Sequence, residues 1–124
     1  MRRNWRATLS GNEPITISAT DQDGIAVLTV GGDVDLATVG DFDAAVNDAL
    51  ERTPKALVID LTAVDFLASA GLQALVATQQ RIGTSAGFAV VANGPATSRP
   101  IQLTGLDQIF SLFSSLPEAL TALG

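Results

Sequence analysis

The sequence predicts one α/β domain built on a mixed, mainly parallel β-sheet, with the element order β-β-α-β-α-β-α-β-α. Three observations carry that prediction. The chain has 124 residues, which suits one domain with one sizeable core. Its composition is 47% apolar and 16% charged, a globular rather than a disordered balance. Its apolar pattern alternates between short β-branched runs and helical stripes, as βαβ units require.

The elements follow in order. In "PITISATDQDGIAVLTVGG", β-branched runs flank the turn-forming cluster "DQDG", which predicts a hairpin from about Ile15 to Val30. "TVGDFDAAVNDALERTP" places Val39, Phe42, Val46, Ala49 and Leu50 on one helical face. Thr38 with Asp41 three residues on resembles a capping box, and Pro54 closes the segment. "KALVIDL" is a nearly continuous apolar run, the pattern of a strand covered on both faces. "SAGLQALVATQQRIG" follows as a helix with Leu72, Leu75, Val76 and Ile82 on one stripe and Gly83 at its end.

"GFAVVAN" predicts another buried strand, and the "GP" after it a turn. "ATSRPIQLTGL" predicts a helix that holds Pro100 in its first turn or kinks there. "IFSLFSS" is a last short strand, and "SLPEALTAL" a final helix capped by Ser115. Leu103, Leu106, Ile109 and Phe110 are expected in the core. Residues 1–13 are expected to form a flexible N-terminal tail, with Trp5 docking on the domain that spans 14–124.

Composition narrows the function. Without cysteine, disulfides, thiolate catalysis and Cys-ligated zinc are excluded. Without histidine, the commonest general base and the commonest metal ligand are missing too. These losses predict a protein that is not an enzyme and carries no cofactor or metal. The formal charge of −6 argues against nucleic acid as a direct partner. Between Asp21 and Asp65 ten acidic residues stand against two basic ones, a surface suited to solubility or to a basic partner. No apolar segment reaches membrane-spanning length, and the arginines of "MRRNWRATLSGNE" precede no apolar core of a secretory signal. A cytoplasmic protein without a membrane partner is the expectation.

Function in open α/β sheets gathers at loops leaving the carboxyl ends of strands. Two such loops stand out, "GGDVDLAT" and "DFLASAGLQAL". In the second, Ser69 is a candidate N-cap worth about 1 kcal/mol. Capping does not explain Gly71, which costs about 1 kcal/mol relative to alanine inside a helix, so close approach by another group is expected there. Ala68 and Ala70 leave the hydroxyl between them unshielded. Asp35 suits a cap of the first helix, while Asp33 is a candidate binding residue, and Gly31 and Gly32 permit a tight turn.

The run "LVIDLTAVDFLASAGLQAL" resembles the signature of STAS domains, in particular bacterial anti-sigma factor antagonists, whose strand, loop and helix surround a D-S-S-G or D-S-T-G core. "VLTVGGDVDLATVGDFDAAV" is similar to their G-E-L-D or G-D-L-D segment, and "RPIQLTGLDQIFSLFSSLPEAL" to their C-terminal stretch. The resemblance runs collinearly from about Ile15 to the C-terminus. It implies a STAS domain that binds an anti-sigma factor with serine kinase activity and so frees a sigma factor for transcription. Ser69 falls on the family's phosphorylatable serine, whose phosphorylation releases the partner and whose dephosphorylation by a phosphatase restores binding. Asp33 and Asp35 fall on the family's acids. Thr38, Ala68, Ser69, Ala70, Gly71, Leu72 and Gln73 are expected on the same partner-binding face. The sequence departs from the pattern where Ala68 replaces the acid before the serine and Ala70 follows it. The alternatives within the same fold are a scaffold subunit of a sensory assembly and a module for a small ligand or nucleotide.

Overall fold

The computed structural model describes residues 2–6 and 14–124. It contains a six-stranded sheet whose spatial order equals the chain order. Strands β1 (Arg2–Arg6), β2 (Ile15–Gln22) and β3 (Ile25–Val34) pair antiparallel in succession. Strands β4 (Ala56–Leu67), β5 (Gly87–Val91) and β6 (Ser111–Phe113) then extend the sheet in parallel from β3. The helices are α1 (Val39–Glu51), α2 (Ser69–Ile82), α3 (Ser98–Leu103) and α4 (Leu116–Leu123), with a 3-10 turn at Leu106–Gln108.

From β2 onward this is the expected order. The strand β1 is the difference, because Arg2–Arg6 fall within the expected flexible tail. They pair instead with β2, Arg2 opposite Gln22 and Asn4 opposite Thr20. An edge strand adds through backbone N–H and C=O groups, so a stretch such as "RRNWR" needs no apolar alternation to join. The docking expected of Trp5 and the expectation for residues 7–13 lie outside the described residues.

Hairpin β2–β3 turns at Asp23 and Gly24, both with positive φ (55° and 89°), the backbone of a two-residue primed turn. Strand alternation then sorts the side chains. Ile15 and Ile17 of β2, Leu28 and Val30 of β3, and Leu57 and Ile59 of β4 face α1 and α2, where they bury Phe42, Val46, Leu75 and Ile82. Complete burial of a side chain such as Phe42 contributes about 1.5–3 kcal/mol. The opposite face places Val27, Val58, Ala89 and Val91 against α4 through Ala119, Leu116 and Leu120. The strand expected from "KALVIDL" is thus covered on both faces, and it runs on to Leu67.

Two local expectations are corrected. The Thr38–Asp41 capping box does not form, since the Thr38 hydroxyl turns inward to the Asp33 carbonyl (2.8 Å). Leu103 and Ile109 are exposed rather than core, whereas Phe110 is buried edge-to-face against Phe88 with ring centroids 5.8 Å apart. Helix α3 is only six residues long, with Pro100 in its first turn. The Ser115 cap of α4 is present, its hydroxyl accepting from the Glu118 N–H at 3.4 Å.

Candidate functional site

The site forms where β3 and β4 end side by side. Asp33 pairs with Phe66 and Val34 with Leu67 in the parallel register, so the loops leaving these strands start as neighbours. The Ala68 N–H closes the junction by donating to the Val34 carbonyl at 2.9 Å. The "GGDVDLAT" and "DFLASAGLQAL" segments therefore make one surface.

The first loop is built from its glycines upward. Gly32 sits at φ +84°, and a side chain there would collide with the Pro14 carbonyl, to which the Asp33 N–H donates at 2.9 Å. Asp35 then organises the entry to α1, its Oδ1 accepting from the Ala37 N–H (3.0 Å) and the Thr38 N–H (3.1 Å). Thr38 answers by accepting from the Asp35 N–H at 3.0 Å, and it is buried. Asp35 ties the turn that leads into α1, whose N-cap position is Thr38, and Thr38 acts from below as a strut. The Asp33 carboxylate, half-buried, makes no hydrogen bond or ion pair among the described residues.

The second loop brings Ser69 to the surface. Ala68, in extended backbone (φ −85°, ψ 174°), occupies the N-cap position, so Ser69 opens the helix itself and caps nothing. That corrects the capping expectation. Its exposed hydroxyl has no hydrogen-bond partner among the described residues. Gly71 is buried, and its close approach is to the protein's own interior. A Cβ there would lie 2.6 Å from Leu67 Cδ1 and 2.8 Å from Val34 Cγ1. Ala68 and Ala70 are half-buried, Leu72 is partly buried against the core, and Gln73 is exposed.

An apolar groove of about 370 Å³ starts at Ser69 and follows α2 past Leu72 and Val76 to the turn after α3. Reading the sequence missed this groove, and it missed Leu36 and Leu103, which are 83% and 73% exposed. The available signal was a leucine directly after the second of two acids in "DVDLAT" and one at the end of a short helix. Among the described residues no cluster of three or more His, Cys, Asp or Glu is placed to hold a metal ion. No helix among them is long and apolar enough to cross a membrane.

The STAS domain family model matches residues 16–119. The chain belongs to the STAS domain family. Among STAS relatives, the anti-sigma-F factor antagonist RsfB of Mycobacterium tuberculosis is 49% identical over 113 residues, covering 91% of this chain and 93% of that protein. An anti-sigma factor antagonist from Mycobacterium paratuberculosis, solved by crystallography, superposes with a TM-score of 0.87 at 48% identity. That match covers 93% of this chain and 98% of the other. A putative anti-sigma factor antagonist from Thermotoga maritima shares the fold, with a TM-score of 0.79 at 22% identity over 86% and 93% of the two chains. In this STAS domain, Ser69 lies at the junction that the two loops build.

Proposed function

We propose that this STAS domain is an anti-sigma factor antagonist. It binds an anti-sigma factor with serine kinase activity through the Asp33–Thr38 loop and the start of α2, and so frees a sigma factor for transcription in the cytoplasm. The 49% identical relative RsfB supports the partner class. The observation that carries the reading is the exposed Ser69 hydroxyl, without a hydrogen-bond partner among the described residues, on a surface continuous with the acid-bearing loop.

The switch follows from that hydroxyl. Ser69 Oγ attacks the γ-phosphorus of ATP held by the partner, the bond to the bridging oxygen breaks, and ADP leaves. The hydroxyl proton passes to a base on the kinase. The new group carries about −1.5 to −2 charge at neutral pH. It sits at the opening of α2, where the N–H groups of Ser69 and Ala70 make no hydrogen bond among the described residues, so the domain tolerates it. The complex does not, because the interface already contains Asp33 and Asp35. Hydrolysis by a phosphatase restores the neutral surface. Ala68 in place of an acid leaves one fewer negative charge beside the reacting oxygen.

The domain itself contributes shape and charge and performs no chemistry of its own. The test combines purified chain, kinase and ATP with intact-mass measurement. Gain of one phosphoryl group at Ser69, full binding by Ser69→Ala and weak binding by Ser69→Glu are expected. Equal affinities of the two variants would remove Ser69 from the interface. A large homo-assembly in light scattering would favour the scaffold role instead.

A further inference from the structure

The groove that begins at Ser69 continues well beyond it. Leu72, Val76, Ala77 and Gln80 form its α2 side, and Thr104 and Leu106 form its far wall. From Ser69 to Gln80 the helix carries no charged side chain, although the chain holds 13 acidic and 7 basic residues. That stretch extends about 16 Å at a rise of 1.5 Å per residue. Just before Thr104, Leu103 is 73% exposed. Solvated helix faces carry charge, whereas the centres of interfaces are depleted of it. At the Ser69 end the character changes, because the adjoining loop presents Asp33 and Asp35.

We propose that the groove seats one helix of the anti-sigma partner. That helix is apolar on the side facing Leu72, Val76 and Leu106, and basic at the end that reaches Asp33 and Asp35. This rests on reading the chain as an anti-sigma factor antagonist. Charge selects the occupant. A second copy of this chain, at net charge −6, would bring its own acids to the acidic end, and a nucleic acid would bring phosphates. Shape selects a helix, since the α2 residues recur at intervals of three and four and leave a row for one ridge of apolar side chains.

The experiment measures binding of the purified anti-sigma-F factor of Mycobacterium tuberculosis to the wild-type chain and to Leu103→Glu, Ala77→Arg and Ser69→Glu. Leu103 and Ala77 are exposed, and arginine keeps nearly the helix propensity of alanine. Both groove variants are expected to bind at least about tenfold more weakly with an unchanged melting midpoint, Leu103→Glu through loss of a leucine side chain at the groove's edge and Ala77→Arg through a charge set in the apolar groove. Should either melt lower, Leu103→Ser carries the comparison, with the same loss expected. If Ser69→Glu weakens binding while the groove variants bind like the wild type, the partner stops at the serine. The inference is then overturned and the antagonist reading stands. Absence of binding by the wild type overturns both.

Discussion

Val34 and Gly71 meet where the second helix crosses the end of the third strand, and a methyl group on Gly71 would lie 2.8 Å from Val34 Cγ1. The glycine lets α2 sit low against the sheet, which brings the start of that helix level with the Asp33–Thr38 loop. Val34 is fully buried and β-branched, so it has little freedom to turn away.

Gly71→Ala therefore sets two effects against each other. Alanine gains about 1 kcal/mol of helix propensity, and overpacking loses about 1–3 kcal/mol. A net destabilisation of about 1 kcal/mol in chemical denaturation is expected. A gain in stability would show that Val34 yields without strain.

The two acids of the first loop should separate cleanly. Asp35→Ala removes the acceptor of two backbone N–H groups and is expected to lower stability by about 1 kcal/mol. Asp33→Asn touches no hydrogen bond among the described residues, so its stability should stay within about 0.5 kcal/mol of wild type. Affinity for a basic partner should fall in Asp33→Asn, and calorimetric titration reads that loss. A stability loss as large as that of Asp35→Ala would reverse the assignment.

Ser69→Ala tests the helix start directly. Were the hydroxyl a cap, its removal would cost about 1 kcal/mol. With Ala68 at the N-cap position, thermal unfolding should show a change below about 0.5 kcal/mol.

At the far end of the chain, the Ser114 hydroxyl donates to the Glu118 carboxylate at 2.8 Å and holds its pKa below the ordinary value. A carboxylate depressed in the folded state stabilises above its unfolded pKa, and the effect fades as pH falls through the folded value. Glu118→Gln should accordingly melt slightly below wild type at pH 7. The difference should disappear as pH drops below the ordinary carboxylate range near about 4. A gap that persists in acid would point to the Gln side chain rather than to charge.

Much of this was legible before any coordinates. The turn at "DQDG", the helical stripe of α1, that of α2 apart from Val76 (which lines the groove), and the Ser115 cap each involve residues a few positions apart, and their periodicity states their partners. The capping box at Thr38 failed for the opposite reason. Its hydroxyl found the Asp33 carbonyl five residues back, in a strand end that helix rules do not consider. Leu103 and Ile109 share their residue types with core positions, and only the packing of α3 and the turn after it leaves them outside.

By itself, then, the amino-acid sequence determined the α/β order and set a bare serine at a strand-to-helix junction, because apolar period and turn chemistry act over short spans. Tertiary structure decided the rest. It joined β1 to the sheet through backbone pairing, put Gly71 beneath Val34, and laid the two loops side by side through the Ala68–Val34 bond. Those contacts join segments tens of residues apart, and local patterns carry no record of which distant segment will arrive.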